Sequence, residues 1–124
     1  MKSKIWWIVG SIAVAAIIIG SVVWYESVPG QYDSFAECLA QSGMTFYGAF
    51  WCPHCQAQKA MFGKSVDKLP YVECSTPDGN SQTQVCINHD IQGYPTWVTK
   101  AGSSTEGVLT FAQLSQLSGC AVPQ

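Results

Sequence analysis

The hexapeptide Phe-Trp-Cys-Pro-His-Cys at residues 50–55 sets two cysteines two residues apart, directly before a segment of good helix formers. Two thiols at this spacing at the start of a helix can close into a disulfide and open again, so the motif predicts redox chemistry. The unpaired backbone N–H groups and the dipole at a helix N-terminus stabilise a thiolate. We therefore interpret Cys52 as the nucleophile and Cys55, one turn further and more buried, as the thiol that resolves a mixed disulfide.

The composition indicates a small protein outside the cytosol. The chain has 124 residues and six cysteines, an even number that suits a disulfide framework and is high for a reducing compartment unless metal is bound. Its net charge is −2, and it contains no arginine. Because no basic patch would follow a phosphate backbone, we expect no nucleic acid partner.

The N-terminal segment has the length and composition of a membrane span. Residues 5–25 contain no charged side chain, and about 20 apolar residues cross a bilayer core of about 30 Å as a helix. Lys2 and Lys4 precede the run and no basic residue follows before Lys59. The positive-inside tendency then predicts a single pass through the plasma (inner) membrane, with a cytoplasmic N-terminus and an extracytoplasmic domain. A cleavable signal peptide is the alternative, and either interpretation exports the domain.

We divide the chain into an anchor with a linker, residues 1–30, and a folded domain, residues 31–124. Capping-box patterns predict helix starts at Ser34 with Glu37 and at Thr110 with Gln113. Helices are predicted over 34–42, 52–62 and 82–89 and from 110 to Gly119, and strands over 44–50, 70–74, 96–99 and 104–108. The last two strands read as a hairpin, and the alternation of elements predicts an α/β or α+β sandwich with a small mixed sheet.

Together these features resemble the thioredoxin fold. A strand leads Trp-Cys-x-x-Cys at 51–55 onto a helix, and Gly-Tyr-Pro-Thr at 93–96 later enters a strand. The sequence segments at 47–55, 69–74 and 93–97 look like those of the thioredoxin-like domain fused to vitamin K epoxide reductase homologues in bacteria and plants. The resemblance implies an α/β, thioredoxin-like fold, a small mixed sheet flanked by helices, here preceded by one transmembrane helix.

The resemblance also implies roles for residues around the thiol pair. A cis Tyr94–Pro95 bond would lie against the disulfide, which adds Pro95 to the catalytic set with Pro53. From its own place between the two cysteines, His54 can put positive charge or a hydrogen-bond donor near the Cys52 sulfur, which would make the disulfide a stronger oxidant; a purely structural histidine is the alternative. The Pro-His dipeptide is also that of the strongly oxidising DsbA family.

Three further positions follow from the same resemblance. We expect Trp51, Tyr94 and Thr96 to contact substrate, while the competing interpretation is that Trp51 and Tyr94 are simply packed.

Many thioredoxins bury an acid six residues before the first cysteine, where this chain has Phe46. Efficient reduction of other proteins is therefore less expected.

The other four cysteines allow three pairings. Cys74 and Cys86 bracket a turn-rich loop, whereas Cys38 lies in the first helix of the domain and Cys120 just after the last. We therefore expect structural disulfides Cys74–Cys86 and Cys38–Cys120, although each could relay electrons. Zinc held by both active-site thiols with Cys74 and Cys86 is the competing use. Cys74 and Cys86 lack the spacing that is usual for a zinc knuckle, and a zinc site would leave the Pro-Thr element unexplained. We therefore expect no metal and no other cofactor.

The sequence thus predicts a membrane-tethered protein disulfide oxidoreductase. It would donate its Cys52–Cys55 disulfide to exported cysteine-containing proteins. Residues 5–25 would anchor it in the lipid bilayer. A quinone-coupled membrane oxidoreductase, vitamin K epoxide reductase-like or DsbB-like, would reoxidise it. Two alternatives remain open: a reductase or isomerase that runs electrons the other way, and a non-catalytic thioredoxin-fold binding module.

Overall fold

A computed structural model describes the backbone of residues 1–124 and every side chain except those of Lys2 and Ser3. A long helix comes first, and a small mixed α/β unit follows it. The helices are α1 (Lys2–Ser27), α2 (Asp33–Gln41), α3 (Pro53–Phe62), α4 (Gln84–Asn88) and α5 (Phe111–Ser118), with a 3₁₀ helix at Gly63–Lys68. The strands are β1 (Thr45–Gly48), β2 (Tyr71–Glu73), β3 (Thr96–Val98) and β4 (Ser104–Glu106).

The four strands form one mixed sheet in the order β2-β1-β3-β4. The central strand β1 runs parallel to β2 and antiparallel to β3, and β3 and β4 form the predicted hairpin. In the parallel pair, Phe46 lies opposite Tyr71 and Gly48 lies opposite Glu73. The sheet and its flanking helices confirm the predicted fold class.

The first helix of the domain begins differently from the prediction. The prediction of a capping box formed by Ser34 and Glu37 is wrong. Helix α2 begins at Asp33, and its N-cap residue is Tyr32, which makes no side-chain capping hydrogen bond. The Asp33 N–H donates to the Gly30 carbonyl at 3.2 Å, and the Gly30 N–H donates to the Asp33 carboxylate at 3.0 Å. This reciprocal turn starts the helix one residue earlier and leaves Ser34 inside its first turn.

The last helix follows its predicted signals more closely. Thr110 and Gln113 form a complete capping box, and Gly119 ends the helix in the left-handed conformation with φ 78°. Leu114 is buried, but Leu117 remains 38% exposed. The buried face of α5 is therefore centred on Leu114.

A buried polar side chain fixes α3 against the sheet. Gln58 is fully buried, and its Oε1 accepts hydrogen bonds from Trp97 Nε1 at 3.2 Å and from the Leu109 N–H at 2.7 Å. Its Nε2 donates to the Leu109 carbonyl at 3.1 Å. Because a buried amide is costly unless its groups are paired, these bonds hold α3 in one position relative to β3. The thiol pair at the start of α3 is held by the same contacts.

The N-terminal helix α1 differs from the others because it is apolar around its whole surface. Residues Lys4–Ser27 form a helix that is long and apolar enough to cross a membrane, and none of these residues is buried against the rest of the protein. At its C-terminal end, the Lys64 ammonium donates to the carbonyl of Val28 at 2.8 Å and to that of Tyr25. The helix is thus compatible with a single membrane span.

Candidate active site

The thiol pair lies where the central strand turns into α3. Cys52 is the N-cap of α3, and Pro53 occupies the first turn, where its fixed φ and missing N–H are tolerated. The Cys52 N–H donates to the Ala49 carbonyl at 3.0 Å, and the Cys52 carbonyl accepts from the Gln56 N–H at 3.1 Å. The sulfur of Cys52 is therefore at the positive end of the helix, as expected.

Cys55 lies behind Cys52 in a more enclosed environment. Cys55 is 1% exposed and Cys52 is 6% exposed, and neither is in a disulfide in this structure. Burial raises the pKa of the Cys55 thiol to about 11, and the neighbouring Cys52 adds to the rise, while a backbone hydrogen bond from Ala49 and the charge of Lys59 oppose it. The inner thiol therefore resists ionisation.

A glycine brings Cys55 close to the sheet. A Cβ at Gly48 would lie 2.8 Å from Cys55 Sγ and 2.9 Å from Cε2 of Tyr71. Any side chain at this position would displace the sulfur or the ring, so glycine is required for the close approach. The Cys55 sulfur and the Tyr71 ring consequently meet over the same backbone position.

The Tyr94–Pro95 segment closes the other side of the pair. Its peptide bond is cis, as the resemblance implies, and the Cys52 thiol donates to the Tyr94 carbonyl at 3.7 Å. Thr96 is buried, and its hydroxyl donates to the Gly93 carbonyl at 2.8 Å. The structure therefore brings Tyr94 and Pro95 to the thiols but uses the Thr96 hydroxyl inside its own turn.

Two aromatic residues flank the thiols and are tied to one loop. Trp51 is 49% exposed and packs edge-to-face with Tyr94, with ring centroids 6.0 Å apart. Trp51 Nε1 donates to Ser75 Oγ at 2.9 Å, and Gln82 Nε2 donates to the Tyr94 hydroxyl at 2.8 Å. Both rings are thus oriented by side chains of the segment between β2 and α4.

The remaining four cysteines form two disulfides. Cys74–Cys86 joins residues 12 apart at the two ends of the loop that holds Trp51 and Tyr94. Cys38–Cys120 joins α2 to the segment after α5 across 82 residues. The four-thiolate zinc set that competes with this arrangement is not formed, because Cys74 and Cys86 are bonded to each other.

The two residues expected to set the redox preference, His54 and Phe46, lie in contrasting environments. His54 is exposed in the first turn of α3, between the two cysteines. Phe46 is fully buried, with its ring stacked on Trp97 at 4.7 Å and edge-on to Tyr71 at 5.0 Å. An aromatic cluster therefore fills the position where many thioredoxins place an acid.

On the sheet side of Cys55 the structure contains a polar cluster that we did not predict from the sequence. The Tyr71 hydroxyl donates to Glu73 Oε2 at 2.7 Å, and the Lys59 ammonium lies 3.4 Å from the centroid of the Tyr71 ring. Glu73 Oε1 also accepts from the backbone N–H groups of Phe50 and Ser75. One signal in the sequence does point to it: Lys59 follows Cys55 by four residues, so both lie on one helix face.

Comparison with known proteins identifies the family of most of the folded domain. The thioredoxin family model matches residues 28–118, which include both thiols and the Tyr94–Pro95 segment. Thiol-disulfide oxidoreductase LTO1 of Arabidopsis thaliana is 38% identical over 96 residues, which are 73% of this chain and 25% of that protein. The chain therefore spans about a quarter of the length of this curated relative.

Proposed function

Because the chain belongs to the thioredoxin family, we propose that it is a thiol-disulfide oxidoreductase, tethered by α1, whose redox-active pair is Cys52 and Cys55. The observation that carries the proposal is the placement of the two free thiols. One caps the N-terminus of α3 beside the cis proline segment, and the other is enclosed behind it. The name of the Arabidopsis relative, a thiol-disulfide oxidoreductase, agrees with this reaction class.

The reaction that we propose transfers a disulfide in two exchanges. A substrate thiolate attacks Cys52 Sγ of the oxidised protein, the Cys52–Cys55 bond breaks, and Cys55 leaves as a thiolate that takes a proton from water. A second substrate thiolate then attacks the substrate sulfur of the mixed disulfide, and Cys52 leaves as a thiolate stabilised by the helix N-terminus. Two substrate thiols become one disulfide, and the protein is left as a dithiol.

We propose that exported cysteine-containing proteins are the substrates. Lys2 and Lys4 precede α1, which favours a cytoplasmic N-terminus and an extracytoplasmic domain. His54 beside the thiols favours the reduced form of the pair, which makes its disulfide a better oxidant. The buried Phe46 leaves no carboxylate at the position that many thioredoxins use as a proton acceptor.

A second partner follows from the electron balance. Each turnover leaves the pair reduced, so an electron acceptor must restore the disulfide. We propose a quinone-coupled membrane oxidoreductase, vitamin K epoxide reductase-like or DsbB-like, because α1 would keep the domain near enzymes embedded in the same bilayer.

The direction of electron flow is tested by the reduction potential of the Cys52–Cys55 pair. The full chain in detergent micelles is equilibrated with glutathione buffers, and the free thiols are counted by alkylation and mass spectrometry. We expect a potential well above about −200 mV, since an oxidant must give its disulfide away. A potential near about −270 mV, the thioredoxin value, would favour a reductase instead.

A transfer assay tests the reaction itself. The oxidised chain is mixed with a reduced, unfolded protein that contains two cysteines, and disulfide formation in that protein is followed with time. The Cys52→Ser variant is the control for oxidation by air. If the wild-type chain neither forms nor reduces disulfides in other proteins, a binding module becomes the better interpretation.

A further inference from the structure

The cluster of Lys59, Tyr71 and Glu73 lies directly beside the inner thiol. Lys59 and Cys55 share one face of α3, and the Lys59 ammonium lies 3.4 Å from the centroid of the Tyr71 ring. The edge of the same ring and the Cys55 sulfur both approach Gly48, within 2.9 Å of where its Cβ would be. The ring therefore holds a positive charge on the side of Cys55 that faces the sheet.

Cys55 requires such a charge because its thiolate has little access to water. Burial raises its pKa to about 11, so only about one molecule in ten thousand is ionised at pH 7. Among the described residues, the charge of Lys59 favours the thiolate and a Cys52 thiolate disfavours it. From β2, Tyr71 faces the same sulfur, and burial together with its bond to Glu73 raises its own pKa, so it stays neutral.

The neighbouring interactions fix the lysine where it is needed. The Tyr71 hydroxyl donates a hydrogen bond to the Glu73 carboxylate at 2.7 Å. The same carboxylate accepts hydrogen bonds from the backbone N–H of Phe50 at 3.2 Å and of Ser75 at 2.8 Å. The segment at residues 71–75 and the segment at Phe50 thus hold the ring in place together. An ammonium over a fixed aromatic face keeps a preferred position, because the attraction to the ring depends on that geometry.

We propose that Lys59 is the charge partner of the Cys55 thiolate, and that Tyr71 and Glu73 position it. The inference rests on the proposed function, in which Cys55 leaves as a thiolate in the first of the two exchanges. When Cys55 resolves a mixed disulfide, it loses its proton to water and attacks Cys52 Sγ. The Cys52–Cys55 bond forms, the bond to the partner breaks, and the electron pair leaves on the partner sulfur. In the reverse direction, Cys55 is the leaving thiolate, so Lys59 assists both.

The test isolates the step that Cys55 performs. The reduced full chain in detergent is mixed with oxidised glutathione, quenched with acid and analysed by mass spectrometry. Cys52 first forms a mixed disulfide and releases one glutathione, and Cys55 then displaces the second. For Lys59→Met we expect the second step to slow about tenfold, as for a rise of about one pKa unit, so the mixed disulfide accumulates. The first step should keep its wild-type rate.

Two further variants separate charge from packing. Lys59→Arg keeps the charge and should keep the second step within about threefold of wild type, whereas Lys59→Gln should behave like Lys59→Met. The Lys59→Met variant should also need a pH about one unit higher to reach the wild-type rate of the second step. A lysine that only packs on Tyr71 would change the stability of the protein and leave this pH profile in place, which would overturn the proposal.

Lys68→Met is the matched control. It removes the same charge from the 3₁₀ helix that follows α3, where Lys68 pairs at the surface with Glu37 at 3.1 Å. It should leave both steps unchanged, and equal slowing by Lys68→Met would reduce the effect to net charge and overturn the proposal.

The glutathione assay also keeps the two proposals apart. Slow resolution in Lys59→Met, in a chain that cannot oxidise proteins, would remove the proposed function and retain the role of Lys59. Normal resolution in Lys59→Met, in a chain that does oxidise proteins, would do the reverse.

Discussion

Two cysteine pairs lie on neighbouring segments of this protein in contrasting environments. Cys52 caps a helix, retains 6% of its surface and is flanked by the half-exposed ring of Trp51. Cys74 and Cys86 have no exposed surface and are packed with Tyr47 and Ile91 in a second small core. A sulfur that exchanges must be reached by another sulfur, and a sulfur that only holds a loop need not be. Access and local charge therefore distinguish the two pairs.

The enclosed pair also supports the accessible one. The loop that Cys74–Cys86 closes contains Ser75 and Gln82, which hydrogen-bond to Trp51 at 2.9 Å and to Tyr94 at 2.8 Å. Trp51 adjoins Cys52 in the chain, and the Cys52 thiol donates to the Tyr94 carbonyl. The comparison thus predicts that changes in the first pair abolish the chemistry, whereas changes in the second weaken the framework around it.

The largest effect is expected from Cys52→Ser. Without the accessible sulfur no mixed disulfide forms, so transfer to a reduced unfolded protein should fall to the uncatalysed rate. Cys55→Ser should instead accumulate a mixed disulfide at Cys52, because the resolving thiol is missing. Non-reducing gel electrophoresis with mass spectrometry measures both outcomes, and a Cys52→Ser variant that still transfers disulfides would contradict the assignment.

Removal of a framework disulfide should affect stability first. The loop-closure model predicts a loss of about 3 kcal/mol for Cys74→Ala with Cys86→Ala and about 4.5 kcal/mol for Cys38→Ala with Cys120→Ala, because the second loop is longer. Urea unfolding of the domain, followed by tryptophan fluorescence in the full chain, measures these differences.

The two double variants then separate a framework role from an electron relay. Without Cys74 and Cys86, transfer should slow severalfold because Trp51 and Tyr94 lose their support, while the Cys38 and Cys120 variant should transfer normally. Complete loss of transfer in a folded protein without Cys74 and Cys86 would show that this pair relays electrons, and the contrast drawn above would fail.

The pH dependence of stability should distinguish the reduced from the oxidised protein. The Cys55 pKa rises from 9.0 in an ordinary environment to about 11 in the folded protein. Above pH 9 the unfolded chain therefore releases this proton first, and the reduced protein should lose stability as the pH rises from about 9 to about 11. Urea unfolding of both forms across this range tests the expectation, and the oxidised form, which has no Cys55 proton, controls for Tyr71 and the lysines. Equal slopes would contradict it.

The smallest effect is expected from Ser75→Ala. It removes the hydrogen bond to Trp51 Nε1, a loss of about 1 kcal/mol, and leaves both cysteine pairs intact. The KM for a protein substrate should rise about twofold to fivefold as the ring becomes less ordered, with little change in kcat. Thr76→Ala, in the same loop but without a bond to Trp51, is the control. A large fall in kcat would mean that Trp51 takes part in the exchange itself.

The local features of this fold are well predicted from sequence. The start of α3, the capping box of α5 and the apolar N-terminal helix all follow from residues within a few positions of one another. The capping box at Ser34 fails for a different reason. Its competitor is the turn between Gly30 and Asp33, which also depends on Ser65, whose hydroxyl accepts the Tyr32 N–H at 2.9 Å from a distant segment.

The chain's own order of residues thus specifies a thiol pair at a helix N-terminus, because helix capping and the Cys-x-x-Cys spacing are short-range properties. It leaves open which groups surround the inner thiol. That environment arises when β2 pairs with β1, which sets Glu73 opposite Gly48 and carries Tyr71 over Cys55 and beneath Lys59. The spacing of Lys59 and Cys55 places both on one helix face. Strand pairing, however, is determined by packing across the whole core, so the ring that holds the lysine beside the buried sulfur is visible only in the folded molecule.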